Sequence, residues 1–288
     1  MNMLRILPIE IMQKIFKYLH NESLVSCLFV NKYWCNCVVS LLWENPFKHE
    51  LVKYPFSNHF PPVLRNFTHK KNRSMIVEAY LSCLDKEDES FLNYPNYPLY
   101  LKQLDYDDLE NNVNLYLSNN CPDKEDEEIP KTVLKLILRR SKNLRTLTIR
   151  NRNGIPDLQN LSNNEQPGLF NLTNVKIDAF KNVNHLLKLI SSNCNQIHYL
   201  DITVKKEDDD DIISDVANII KVQNRLMEFC ISFVKSHFDQ IMFALLSQKS
   251  NLISIRLYDI MFNEVSNNLL REFIHVEDLS LIHCDGVF

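Results

Sequence analysis

The stretch Leu144-Arg145-Thr146-Leu147-Thr148-Ile149 sets the reading of most of this chain. Its apolar residues fall at the first, fourth and sixth positions. Leu147 and Ile149 therefore share one face of a short strand, and Thr146 and Thr148 take the other. The same spacing returns as Leu172/Val175/Ile177, Ile197/Leu200/Ile202, Leu226/Phe229/Ile231, Leu252/Ile255/Leu257 and Val276/Leu279/Leu281. Successive copies begin 28, 25, 29, 26 and 24 residues apart. An earlier copy, Leu101/Leu104/Tyr106, lies 43 residues before Leu144, across an acidic insertion. Between copies run stripes at helical period: Val183-Leu186-Leu187-Ile190, Ile212-Val216-Ile219-Ile220 and Phe238-Ile241-Met242-Leu245. One strand and one helix cannot bury their apolar faces alone, so such units must stack on one another.

A strand–helix unit repeating every 20 to 29 residues resembles the leucine-rich repeat. The resemblance covers residues 101–288 and implies a curved solenoid of short parallel strands and helices. The repeats are degenerate: the consensus Asn or Cys that follows the strand is matched only by Cys284. A repeat array is expected to end in a polar cap, whereas this sequence ends at Gly286-Val287-Phe288. Either Val287 and Phe288 close the last face, or the sequence is a short or incomplete member.

Residues between the inward apolar positions should line the concave sheet. They include Thr146, Thr148 and Arg150; Asn174, Lys176 and Asp178; Tyr199, Asp201 and Thr203; Glu228, Cys230 and Ser232; Ser254, Arg256 and Tyr258; Asp278, Ser280 and Ile282. Tyr and Arg are favoured at binding hot spots, which makes Tyr199, Arg256 and Tyr258 the candidate anchors for a recruited protein.

The amino-terminal segment has a different pattern. Pro8 suits the first turn of a helix, and Glu10 complements its positive end. Ile11, Met12, Ile15, Phe16 and Leu19 then form a wide apolar stripe. Asn21 to Ser23 can cap a second helix over 24–30, and Asn31 a third over 32–43. Some forty residues are too few for an independent core, so this surplus of apolar side chains is expected to form an interface. Leu7-Pro8-x-Glu10-Ile11, Ile15-Phe16, Val30-Asn31-Lys32-x-Trp34 and Leu42-Trp43 together resemble an F-box. The resemblance spans about residues 4–45. It implies docking on the Skp-type adaptor of cullin–RING ubiquitin ligases through Leu7, Pro8, Glu10, Ile11, Ile15, Phe16, Leu19, Val30 and Trp34.

The expected organisation is an all-helical F-box at 1–46, a connector at 47–100 with one helix near Arg73–Leu84, and the solenoid at 101–288. The fold class is α/β, or α+β overall. Of 288 residues 45% are apolar, enough for a large core. A formal net charge of −4 gives no general grip on nucleic acid. No signal peptide or membrane-spanning run is readable, so a cytoplasmic or nuclear location is expected. Eight cysteines, none in CxxC spacing, read as reduced small hydrophobes. Only three glycines occur, so glycine-rich phosphate loops and nucleophile elbows have no place. The acidic runs Asp123–Glu128 and Glu207–Asp211 precede helices, whose N-termini they complement. No metal, cofactor or catalytic group is assigned; Cys230 with His198 is the nearest to a reactive pair.

By resemblance, then, the chain would be a non-enzymatic substrate-recognition subunit of a Skp–cullin–F-box ligase that recruits an unidentified target protein. The alternative is a scaffold that binds the adaptor, or another protein, without delivering anything to a cullin.

Overall fold

The computed structural model describes residues 7–48, 77, 97–120, 128–150, 154–158, 168–178, 183–204 and 209–287. The expected helix at Arg73–Leu84 lies outside the described residues except for Val77, which is helical and buried. Of the acidic run Asp123–Glu128, only Glu128 is described, as the first residue of a helix. The chain divides into two compact units, Met1–Gln103 with Asn111–Glu125, and Leu104–Glu110 with Asp126–Phe288.

The first unit begins with α1 (Ile9–Phe16), α2 (Asn21–Cys27) and α3 (Lys32–Leu42). Pro8 precedes α1 in an extended conformation. Asn31 caps α3, its Oδ1 accepting from the Trp34 amide at 2.9 Å. The second helix begins at Asn21 rather than Leu24, so Asn21 and Ser23 belong to the helix they were expected to cap. Met12, Phe16, Leu24, Cys27, Cys37 and Val38 form the core of the three helices. The Tyr33 hydroxyl donates to the Leu7 carbonyl and fixes the approach to α1. Further along, the Glu44 carbonyl accepts from the Lys102 and Gln103 amides, and the Glu44 carboxylate pairs with Lys102 Nζ at 3.0 Å. Asn112 Nδ2 donates to the Phe47 carbonyl at 3.0 Å.

The second unit is a repeating α/β solenoid. Its strands are β1 (Gln103–Asp105), β2 (Thr146–Ile149), β3 (Asn174–Asp178), β4 (Tyr199–Thr203), β5 (Glu228–Ser232), β6 (Ser254–Tyr258) and β7 (Asp278–Ile282). They form one seven-stranded sheet in sequential order, and each pairing from β2 to β7 is parallel. The helices are α4 (Tyr106–Asn120), α5 (Glu128–Arg140), α6 (Val183–Asn193), α7 (Asp209–Val222), α8 (Phe238–Leu246) and α9 (Glu264–Leu270). The division between units falls within β1 and α4.

The period-2 pattern places Leu147, Ile149, Val175, Ile177, Leu200, Ile202, Phe229, Ile231, Ile255 and Leu257 in the core. The expected helical stripes bury against them: Leu186, Leu187 and Ile190; Val216, Ile219 and Ile220; Ile241, Met242 and Leu245. The earliest copy differs. Its strand stops at Asp105, whose Oδ1 accepts from the Asp107 amide at 3.1 Å and turns the chain into α4. Tyr106 is therefore the first helical residue, although it remains fully buried. On β7 the inward pattern persists in sequence, yet Leu279 is 47% exposed. Val287 is also exposed, and Phe288 lies outside the described residues.

Entry into β3 to β7 follows one rule. The Arg145 carbonyl accepts from both Thr173 and Asn174; Thr173 does so from His198 and Tyr199; His198, Met227 and Ile253 continue the ladder. Buried amides reinforce it. Gln223 Oε1 accepts from the Ile197 amide at 2.8 Å, and its Nε2 donates to the Cys194 and Ile219 carbonyls. Gln248 repeats the arrangement one turn later, accepting from Leu226 and donating to Gln223 at 2.7 Å. At the exit from the strands, Phe233, Asp259 and His283 adopt the same left-handed conformation. The next residues, Val234 and Ile260, are fully buried, and Cys284 donates to the Leu257 carbonyl. Apolar packing thus fills the consensus Asn or Cys position in two of these three turns. Gly168 is required by close approach: a Cβ there would stand 2.5 Å from the Ser141 carbonyl oxygen.

Candidate protein-interaction surfaces

Two neighbouring stripes run along α1. Met12 and Phe16, four residues apart, point into the three-helix core, with Phe16 only 2% exposed. Phe16 meets Trp34 of α3 edge to face, with ring centroids 5.0 Å apart. Gln13 Nε2 donates to Ser40 Oγ at 2.8 Å and ties the same side of α1 to α3.

Ile11 and Ile15 make the second stripe, 41% and 47% exposed. Leu7, Ile9, Tyr18 and Leu19 extend it, and Phe29 and Val30 lie exposed after α2. Pro8 and Glu10 are exposed at the start of α1. The nine expected docking residues therefore occupy different places. Leu7, Pro8, Glu10, Ile11, Ile15, Leu19 and Val30 are on the surface; Phe16 is internal, and Trp34 is half-buried behind it. Tyr18, 90% exposed, and Phe29 were not singled out by motif, although each belongs to the exposed apolar set. This cluster of exposed apolar side chains makes the face a candidate interface.

The outward face of the sheet is a linked polar network. In register order, Thr148, Lys176, Asp201, Cys230, Arg256 and Ser280 form its central row. Lys176 Nζ lies 2.6 Å from Asp201 Oδ2, and Tyr199 Oη donates to the same oxygen at 3.1 Å. Arg256 lies between Glu228 at 3.3 Å and Asp278 at 3.4 Å, and Ser254 Oγ donates to Asp278. Of the candidate anchors, Tyr199 and Arg256 are held by these partners, and Tyr258 stands half-buried at the end of β6. Prior fixing lowers the side-chain entropy a bound partner must overcome. Asp201, nearly buried, organises the row, a role that alternation alone did not reveal.

Burial and the neighbouring Asp201 carboxylate raise the pKa of the Tyr199 phenol. The same causes, burial first, push the Cys230 thiol up to about 12. At neutral pH Cys230 is a protonated thiol, which is a poor nucleophile. His198 is exposed in the turn before β4, two residues upstream of the inward Leu200. Among the described residues no group of His, Cys, Asp and Glu side chains is arranged to hold a metal ion. No described helix is long and apolar enough to cross a membrane.

At the other end of the sheet Arg150 pairs with Asp105 at 2.7 Å and approaches Asp107 at 4.0 Å. Burial, then the Asp105 charge, raise the Asp107 carboxyl to about 6, against the opposing pull of Arg150.

No curated protein matches the chain. A family comparison matches residues 4–49 to the F-box-like family. The exposed apolar stripe of α1 and the core behind it fall inside this span, and the chain thus carries an F-box-like domain at its amino-terminal end.

Proposed function

We propose that this protein is the substrate-recognition subunit of a Skp–cullin–F-box ubiquitin ligase. The F-box-like domain would dock on a Skp-type adaptor and through it on a cullin. The solenoid, read as degenerate leucine-rich repeats of the type found in large fungal F-box families, would hold a target protein. The observation that carries the reading is the exposed stripe of Leu7, Ile11, Ile15 and Leu19 within the F-box-like span. Behind the stripe Phe16 and Trp34 pack edge to face and hold α1 on the three-helix core, which favours a preformed apolar face.

The mechanism is proximity. Tethering a target beside a loaded ubiquitin-conjugating enzyme raises the effective concentration of its lysines. The transfer chemistry belongs to other subunits, and the chain itself acts without a catalytic group. Tyr199, Arg256 and Tyr258 are the proposed target contacts. Placement in the cytoplasm or nucleus follows from the same reading.

The test is capture of a Skp-type adaptor by the purified full chain and by a Leu7→Ala, Pro8→Ala, Ile11→Ala variant. Capture by the native chain and its loss in the variant are expected. A folded native chain that captures no adaptor overturns the reading.

A further inference from the structure

Basic residues collect at the edge of the solenoid where the chain enters its strands. The helix ends and turns that lead into the strands, residues 139–145, 168–173, 191–198, 221–227, 247–253 and 271–277, hold eight Lys or Arg and only two Glu. The chain as a whole has the opposite balance, 32 basic against 36 acidic residues.

Helix polarity accounts for part of this. Arg139, Arg140, Lys221 and Arg271 lie in or just after the last turns of α5, α7 and α9, where cations meet the negative helix end. Lys142, Arg145 and Arg225 lie beyond the helix ends and have no such reason. All three are exposed, and no carboxylate among the described residues pairs with them. The cations on the sheet itself differ: Arg150, Lys176 and Arg256 each have a carboxylate partner.

The ladder fixes where these groups stand. The Arg145 carbonyl is bonded to β3, and the Lys142 carbonyl accepts from Asn171 Nδ2 at 2.8 Å. The Asn224 amide beside Arg225 donates to the Asn195 carbonyl at 2.9 Å. The two cationic turns are thus three strand spacings apart, roughly 14 Å along the rim. An extended peptide covers that span with about four residues. Beyond it, Glu272 and Glu277 close the cationic stretch.

We infer that this rim, through Lys142, Arg145 and Arg225, binds an Asp/Glu-rich segment of the recruited protein. The short bounded stretch and the negative chain favour a peptide over a nucleic-acid backbone, which would meet repulsion from the surrounding surface. The inference rests on the reading of the solenoid as a recruiting module.

The test is fluorescence anisotropy of a labelled Glu/Ser peptide with the full chain, the K142E/R145E/R225E variant and the charge-matched K14E/K17E/K32E variant. Native binding that weakens with added salt is expected. So is a loss of about tenfold or more in the rim variant, with circular dichroism unchanged and the charge-matched variant close to native. Absence of native binding, equal losses in both variants, or stronger competition by duplex DNA than by unlabelled peptide would each overturn the inference. Adaptor capture, measured on the same native preparation, separates the two readings. Capture without peptide binding removes only this inference, and peptide binding without capture removes only the ligase assignment.

Discussion

The rings of Phe16 and Trp34 meet edge to face at a centroid distance of 5.0 Å and an interplanar angle of 61°. The apolar residues of α1 fall into two populations, one buried behind this contact and one exposed. Phe16 is buried, and Ile15, its neighbour in sequence, faces outward. Phe16→Ala should therefore cost the domain about 3–5 kcal/mol, because it opens a cavity in a small core. Ile15→Ala should leave stability within about 0.5 kcal/mol and weaken adaptor capture instead. Urea unfolding beside a capture assay checks the split. If Ile15→Ala unfolds the domain as readily as Phe16→Ala, the outward stripe is structural and the docking face lies elsewhere.

Gln223 occupies a comparable position in the solenoid. Its side-chain amide satisfies one amide and two carbonyls in a buried turn. Gln223→Ala would orphan those groups, and each unsatisfied buried polar group costs about 1–3 kcal/mol. A loss of roughly 2–4 kcal/mol is expected after partial relaxation. Asn224→Ala, one residue on and exposed, should change stability by less than about 0.5 kcal/mol. Equal denaturation midpoints for the two variants would mean that the backbone ladder alone holds successive turns together.

These cases mark what sequence can and cannot convey. The inward leucines, isoleucines and valines of β2 to β6 were legible because alternation leaves an apolar residue only one place to go. The two stripes of α1 were not separable, since both recur at helical spacing and either could face the core. Gln223 and Gln248 look like solvated turn residues until the neighbouring turn is present to receive their bonds. Tyr106 fits the strand pattern by its burial, but the Asp105 side chain starts a helix at that point. The F-box-like motif was readable because it is local. The order of Lys176, Asp201 and Arg256 on the sheet depends on register between strands some 25 to 29 residues apart.

Asp107 gives the solenoid a pH-dependent weakness. Its carboxyl is raised to about 6 from an ordinary 3.8 by burial and by Asp105, with Arg150 opposing. The folded state therefore holds this proton more tightly than the unfolded chain does. Below the ordinary value both states carry the proton and the site is neutral in its effect. As pH rises between the two values, the unfolded chain ionises more readily, and stability declines until the folded carboxyl has ionised as well. Asp107 is partly exposed, so solvent screening reduces the effect. Asp107→Asn removes the ionisation and should raise the melting temperature by roughly 1–3 °C at pH 7.5. The advantage should shrink to nothing as pH falls toward about 4. Paired thermal melts at the two pH values test this. A variant less stable than the native chain at neutral pH would mean that the attraction to Arg150 outweighs burial and the Asp105 charge, and the assigned direction would be wrong.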